Sequence, residues 1–195
     1  MKKTISILTL VVLTIVSCKS EKKGNTDAGS GATKWVDSLI YPEETHFNSI
    51  KQITFGGDNA EAYWSFDDKQ IIFQSNNTNW GVECDQMFLM NRDENWNYSI
   101  PPMVSTDLGR TTCAYFLPDN KHFVYDSTHL GGDECPPAPL RREGKYVWPI
   151  YESYDIFVAD LEGNITAQLT TEPGYDAEAT VSPKGDKIVF TSMRT

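Results

Sequence analysis

A histidine with two nearby acids, a pair of carboxylates and three cysteines are the residues of this chain with the makings of chemistry. His129, Asp133 and Glu134 fall in the stretch His129-Leu-Gly-Gly-Asp-Glu134. One imidazole and two carboxylates suit a hard divalent cation. The same composition also describes a solvated loop, which is the reading adopted, so no metal and no cofactor is assigned. Asp176 and Glu178 suggest an acid/base pair, but their place in the repeat described below points first to hydrogen bonds between structural units. Cys84, Cys113 and Cys135 show no Cys-X-X-Cys spacing of a redox or zinc site. Gly-X-Ser-X-Gly, His-Glu-X-X-His and phosphate-binding glycine motifs are missing from the sequence. No catalytic residue is assigned.

Composition narrows the partners. The chain of 195 residues has 17 Lys+Arg against 27 Asp+Glu, a net charge of -10, so a phosphate backbone would be repelled at long range and nucleic acid is excluded as a partner. Nine Tyr, nine Phe and five Trp favour strands and stacked sheets over helical bundles. At the start, Lys2 and Lys3 precede the apolar run Ile5 to Val16, too short to span a bilayer, which closes on Ile15-Val-Ser-Cys18. This order resembles the bacterial lipobox. The resemblance implies that residues 1–17 are a signal peptide and that Cys18 is lipidated as the first mature residue. Residues 18–34, rich in Lys, Ser, Gly, Asn and Asp, read as a flexible tether, and 35–49 as an irregular lead-in. Because Lys19 rather than Asp follows the cysteine, the resemblance to bacterial lipoproteins also implies an outer-membrane anchor.

The elements that must position the chemistry come from a repeat. Trp64-Ser-Phe-Asp-Asp-Lys-Gln-Ile-Ile-Phe-Gln-Ser75, Phe116-Leu-Pro-Asp-Asn-Lys-His-Phe-Val-Tyr-Asp-Ser127 and Val181-Ser-Pro-Lys-Gly-Asp-Lys-Ile-Val-Phe-Thr-Ser192 align without gaps. Each is a short strand, a polar turn and an apolar strand. Extended along the chain, each unit predicts four strands, a to d. The first is Ala62 to Phe66, Gln70 to Ser75, Gln86 to Asn91 and about Pro102 to Ser105. The second is Ala114 to Leu117, His122 to Ser127, Asp155 to Asp160 and Thr166 to Thr170. The third holds only Ala179 to Ser182 and Lys187 to Ser192, and Ile50 to Phe55 reads as the last strand of a preceding unit. Four short strands per unit at such a period is the signature of a propeller blade.

The pattern resembles the TolB-type, WD-like β-propeller repeat of bacterial envelope proteins. Gln168-Leu-Thr170, Asp176-Ala-Glu-Ala179, Ser182-Pro-Lys-Gly-Asp-Lys187, Ile188-Val-Phe-Thr-Ser192 and Asp155-Ile-Phe-Val-Ala-Asp160 carry it. The implied fold is all-β: a β-propeller of four-stranded antiparallel blades over residues 50–195, with units near 50–101, 102–165 and 166–195. It is incomplete, with about two and a half blades, as in an N-terminal fragment of a longer protein.

Antiparallel order puts the a–b and c–d turns at one end of the blades and the b–c loops and d–a connections at the other. The second end carries the unusual residues. Strand a lines the channel in propellers, so Glu61, Cys113 and Glu178 are expected at its mouth. The candidate binding face is Glu61, Trp80, Arg110, His129, Asp133, Glu134, Arg141, Arg142, Trp148, Tyr175, Asp176 and Glu178, with Tyr146 beside it and the long loop Thr128 to Tyr154 at its centre. Any two of the three cysteines could pair on this face; Cys113 with Cys135 is favoured, and Cys84 is the alternative. The function expected is a non-catalytic envelope lipoprotein binding a protein, peptide or glycan. The competing reading is a propeller enzyme, a metal-dependent polysaccharide lyase or a peptidase-associated propeller, with catalytic parts in a missing C-terminal region.

Overall fold

The computed structural model describes residues 41–138, 143–145 and 147–194. Three antiparallel sheets follow one another along the chain. The first contains β1 (Asp58–Trp64), β2 (Gln70–Asn76) and β3 (Gln86–Asn91). The second contains β4 (Thr111–Phe116), β5 (His122–Ser127), β6 (Asp155–Asp160) and β7 (Ile165–Gln168), and the third pairs β8 (Asp176–Val181) with β9 (Ile188–Ser192). Strands pair in chain order throughout. Each sheet presents its first strand to the sheet before it: β4 packs on β1, β2 and β3, and β8 packs on β4, β5 and β6.

Period-two alternation explains why the second strands are apolar on both sides. In β5, Phe123 and Tyr125 join Ile72, Met87 and Leu89 of the first sheet in one buried cluster, whereas Val124 points the other way to Ala179 and Val181 of the third. In β2, Ile72 faces the second sheet, and Ile71 and Phe73 face an outer layer with Trp80, Trp96 and Tyr98. A strand between two sheets has no solvent face, so its sequence reads as a continuous apolar run. The same parity aims Gln74 at the second sheet and Asp126 at the third.

The hairpin turns also repeat. Ser65, Leu117 and Ser182 donate their amides to the carbonyls of Gln70, His122 and Lys187, and Asp68, Asn120 and Gly185 take the left-handed position with φ of 58°, 54° and 71°. Neighbouring turns touch. The Asp67 amide donates to Asn120 Oδ1 across the sheets at 3.2 Å, and a Cβ on Gly185 would come within 2.2 Å of Pro118 Cγ, so this turn needs glycine for space as well as for φ.

The predicted strands β3, β5 and β6 have the observed limits, while the first strands begin three or four residues early, at Asp58, Thr111 and Asp176. A bulge in each lets pairing continue past the point where simple alternation ends. The fourth strand predicted over 102–105 reduces to an isolated bridge between Phe88 and Met103. Pro101 and Pro102 have no N–H to extend a ladder there. Residues 50–55 form no strand among the described residues, with only Lys51 in a bridge, and Ile53 packs with Trp80 and Trp96 against the outer layer of the first sheet.

Phe123 is fully buried at the junction of the first two sheets. Phe123→Ala is expected to lower the unfolding free energy by about 3–5 kcal/mol, measured by denaturant titration, and Lys121→Ala next to it by less than about 0.5 kcal/mol.

Candidate functional site

Glu61, Cys113 and Glu178 stand at the same repeat position, three residues before the aligned Trp64, Phe116 and Val181. All three are left-handed, with φ of 49°, 49° and 63°, and each lies within a register shift of its strand pair. A left-handed non-glycine residue is unfavourable alone. At Cys113 and Glu178 the bulge turns the amide toward the preceding sheet, where an acceptor waits. Gln74 Oε1 accepts from Cys113 N at 3.3 Å and from Thr112 Oγ1 at 2.9 Å. Asp126, the equivalent residue one repeat on, accepts from Glu178 N through Oδ2. Its Oδ1 is buried without a partner among the described residues. Burial pushes the Asp126 carboxyl well above the usual range, against the lowering effect of the Glu178 and Ala179 amides.

The same geometry quiets the groups at this repeat position. Burial raises the Cys113 thiol to about 12, with Asp126, Glu61 and Glu178 adding to the shift, so it stays protonated and a poor nucleophile. Glu61 accepts from Tyr63 Oη at 2.6 Å and Glu178 from Thr191 Oγ1 at 3.0 Å. Asp176 is fully buried and lies 3.3 Å from Arg194 Nε. Asp176 and Glu178 therefore turn to different partners, and the acid/base pairing suggested by their spacing is not formed.

At the loop end, Arg110 ties the connection before β4 to both b–c loops. Its guanidinium pairs with Asp85 through Nη1 and reaches Cys135 Sγ at 3.6 Å through Nη2, while its amide donates to Thr128 Oγ1 at 2.9 Å. Thr111 donates its amide and its hydroxyl to the Asp85 carbonyl at 2.9 and 3.0 Å, and Gly109 N donates to Asp133 O at 2.9 Å. Burial raises the Asp85 carboxyl despite Arg110, which pulls it down. The disulfide joins Cys84 to Cys135, with Cα atoms 5.6 Å apart, which corrects the favoured pairing of Cys113 with Cys135. Cys113 is held inside the β4 bulge by the Gln74 acceptor, whereas Cys84 adjoins Asp85, and Cys135 lies against the Arg110 guanidinium that pairs with Asp85.

His129 Nδ1 lies 2.9 Å from Ser127 Oγ, and its ring centroid is 4.5 Å from that of Phe157. Burial lowers its pKa, so it is neutral near pH 7. Asp133 and Glu134 line a cavity of about 490 Å³ with Glu83 and Asp107, without His129. Among the described residues, no three His, Cys, Asp or Glu side chains come together as metal ligands. Trp80 packs against Phe73 and Phe88, and Tyr175 is buried against Tyr154. Cys18, Arg141, Arg142 and Tyr146 lie outside the described residues.

Arg110 and Trp148 do share a site. With Gln74, Asn76 and Asp85 they line a cavity of about 830 Å³, whose other wall is the chain from Gln52 to Ala60. Gln52, Asn59, Gln74 and Asn76 are lining residues that sequence reasoning missed. The available signal was a polar residue at one fixed place in the otherwise apolar second strands, Gln74 in Gln-Ile-Ile-Phe-Gln and Asp126 in His-Phe-Val-Tyr-Asp.

No protein-family model and no curated protein matches the sequence. Among solved structures, TolB from Agrobacterium tumefaciens matches at 18% identity with a TM-score of 0.52, over 72% of this chain and 40% of that one. TolB from Acinetobacter baumannii matches at 22% identity with a TM-score of 0.48, over 72% of this chain and 29% of that one. The chain thus spans well under half the length of either protein. The first likeness shows the fold, a TolB-type β-propeller in which the sheets here form consecutive, unclosed blades.

Because burial raises the Asp126 carboxyl above its ordinary 3.8, the folded chain keeps a proton that the unfolded chain loses. This contribution to stability is full below about 3.9 and is lost as pH rises through the raised value. Asp126→Asn, neutral at every pH, is expected to lack that fall. As pH rises from the ordinary carboxylate range toward the raised value, the wild type should lose stability relative to the variant by at most about 1.4 kcal/mol per pH unit; parallel curves would exclude a raised carboxyl. For the disulfide, peptide mapping without reduction should recover Cys84 linked to Cys135, with Cys113 alkylated only after unfolding. Across a sequence separation of 51, breaking the bridge should cost about 4 kcal/mol.

Proposed function

We propose that this propeller is a non-catalytic binding platform of the bacterial cell envelope, which takes its partner on the end of the blades where the b–c loops meet the d–a connections. The observation that carries the reading is the 830 Å³ cavity on that end, with Arg110 immobilised at its edge by Asp85, Cys135 and Thr128. Rigid polar groups around a concave opening bind without a large ordering cost. The groups nearest to catalysis are committed elsewhere: the Cys113 thiol is held protonated, and Glu61 and Glu178 are hydrogen-bonded within their own sheets.

Export and a lipid anchor belong to the same proposal. Lys2, Lys3, the apolar run and Cys18 have the order of a lipoprotein signal, and the Cys84–Cys135 disulfide suits an oxidising compartment. Residues 18–34 would hold the propeller away from an outer-membrane anchor.

Photo-crosslinking in living cells tests the platform. A benzophenone side chain at Val147, which lines the cavity and is 44% exposed, should yield adducts, and one at Lys184 in the β8–β9 turn should not. Adducts confined to position 184 would place the binding surface at the other end.

A further inference from the structure

We propose that the 830 Å³ cavity is a subsite for a neutral oligosaccharide, an assignment that rests on the platform reading and names its ligand class. The argument begins with the amides. Gln52, Asn59, Gln74 and Asn76 all line the cavity, and a planar amide sets an acceptor beside two donors. Each sugar hydroxyl both donates and accepts, so adjacent ring hydroxyls complement such a group. Aliphatic or aromatic side chains would dominate a cavity made for apolar ligands.

Three of these amides are oriented by the protein. The Gln74 oxygen is occupied by Thr112 Oγ1 and Cys113 N, so its Nε2 donor is what it presents to the cavity. Gln52 Nε2 donates to Thr54 O at 2.8 Å, which leaves Oε1 as the acceptor. Asn59 is held at both ends, donating to Gly56 O at 3.0 Å and accepting from Ser75 Oγ at 2.9 Å. Donors and acceptors thus stand at set places before a ligand arrives. The Trp148 ring completes the lining, an apolar surface on which the C–H face of a pyranose can pack while its hydroxyls reach the amides.

Charge separates a neutral sugar from an acidic one and from peptides. The Arg110 cation is neutralised by Asp85, Asp58 adds a further carboxylate to the lining, and the chain carries -10 overall. A uronate or phosphorylated chain meets repulsion at every range. Besides Trp148, apolar lining comes only from Ala60, Ala138 and Val147 among the described residues, too little to seat the buried aromatic or aliphatic anchor of a peptide interface.

The test is calorimetric titration of the full chain with neutral hexose and N-acetylhexosamine tetrasaccharides, against uronate tetrasaccharides and a peptide library. At least one neutral tetrasaccharide should bind, and Trp148→Ala and Asn76→Ala should each weaken it by about tenfold or more, with Lys184→Ala, exposed in the β8–β9 turn, unchanged. Asn76 makes no side-chain hydrogen bond within the described protein, so its variant keeps the fold, as an unchanged melting curve would verify. Binding of peptide or uronate alone overturns the neutral-sugar assignment and leaves the platform standing. Binding that survives both cavity variants also overturns it. No binding of any probe, together with no adducts from position 147, overturns both readings.

Discussion

One hydrogen bond, repeated, sets how the sheets of this protein stack: a polar side chain in the second strand of one sheet accepts from a left-handed amide in the first strand of the next. Gln74 reaches Cys113 and Asp126 reaches Glu178. Each half is costly alone, since a non-glycine residue at positive φ is strained and a buried polar side chain without a partner loses its hydration. Together each removes the reason the other would be rejected. The third repeat carries Thr191 at the acceptor position, and its hydroxyl donates to Glu178 within the same sheet.

The bulge that makes this bond possible also shapes the binding end. It keeps β1, β4 and β8 paired for three or four residues further toward the loops than alternation alone would allow, which brings the connection through Gly109 and Arg110 beside Asp85 and Asp133. Gly109 has φ of 59°, and a Cβ there would lie 2.6 Å from Thr128 Oγ1, so the backbone approaches the neighbouring loop as closely as it can. The disulfide then holds Cys84, at the foot of β3, to the long loop. Rigidity at this end follows from the same interactions that hold the sheets together, and a polar cavity is left between them.

Much of the fold was legible because strands covered on both sides must be apolar on both faces, and Gln-Ile-Ile-Phe and His-Phe-Val-Tyr declare that whatever surrounds them. The repeat placed Glu61, Cys113 and Glu178 in register, and they share one backbone conformation. Pairing partners across loops were harder to read. The sequence favoured Cys113 with Cys135, a bridge that would pin the long insertion to its own blade, but strand position does not say which way a bulged side chain turns. His129 read as a possible ligand because of its acidic neighbours, whereas in space its nearest partners are Ser127 and Phe157.

By itself, then, the sequence determined the all-β repeat, the order of the strands and the acidic, aromatic character of the chain, since those follow from local periodicity and composition. Tertiary structure alone decided that Cys84 pairs with Cys135, that Arg110 is spent on Asp85, and that amides from β1, β2 and the segment before β1 surround one cavity. Those facts depend on distances between residues far apart in the chain. Such distances are set by how the bulged first strands dock on the preceding sheet, and a docking angle has no signature in any single stretch of residues.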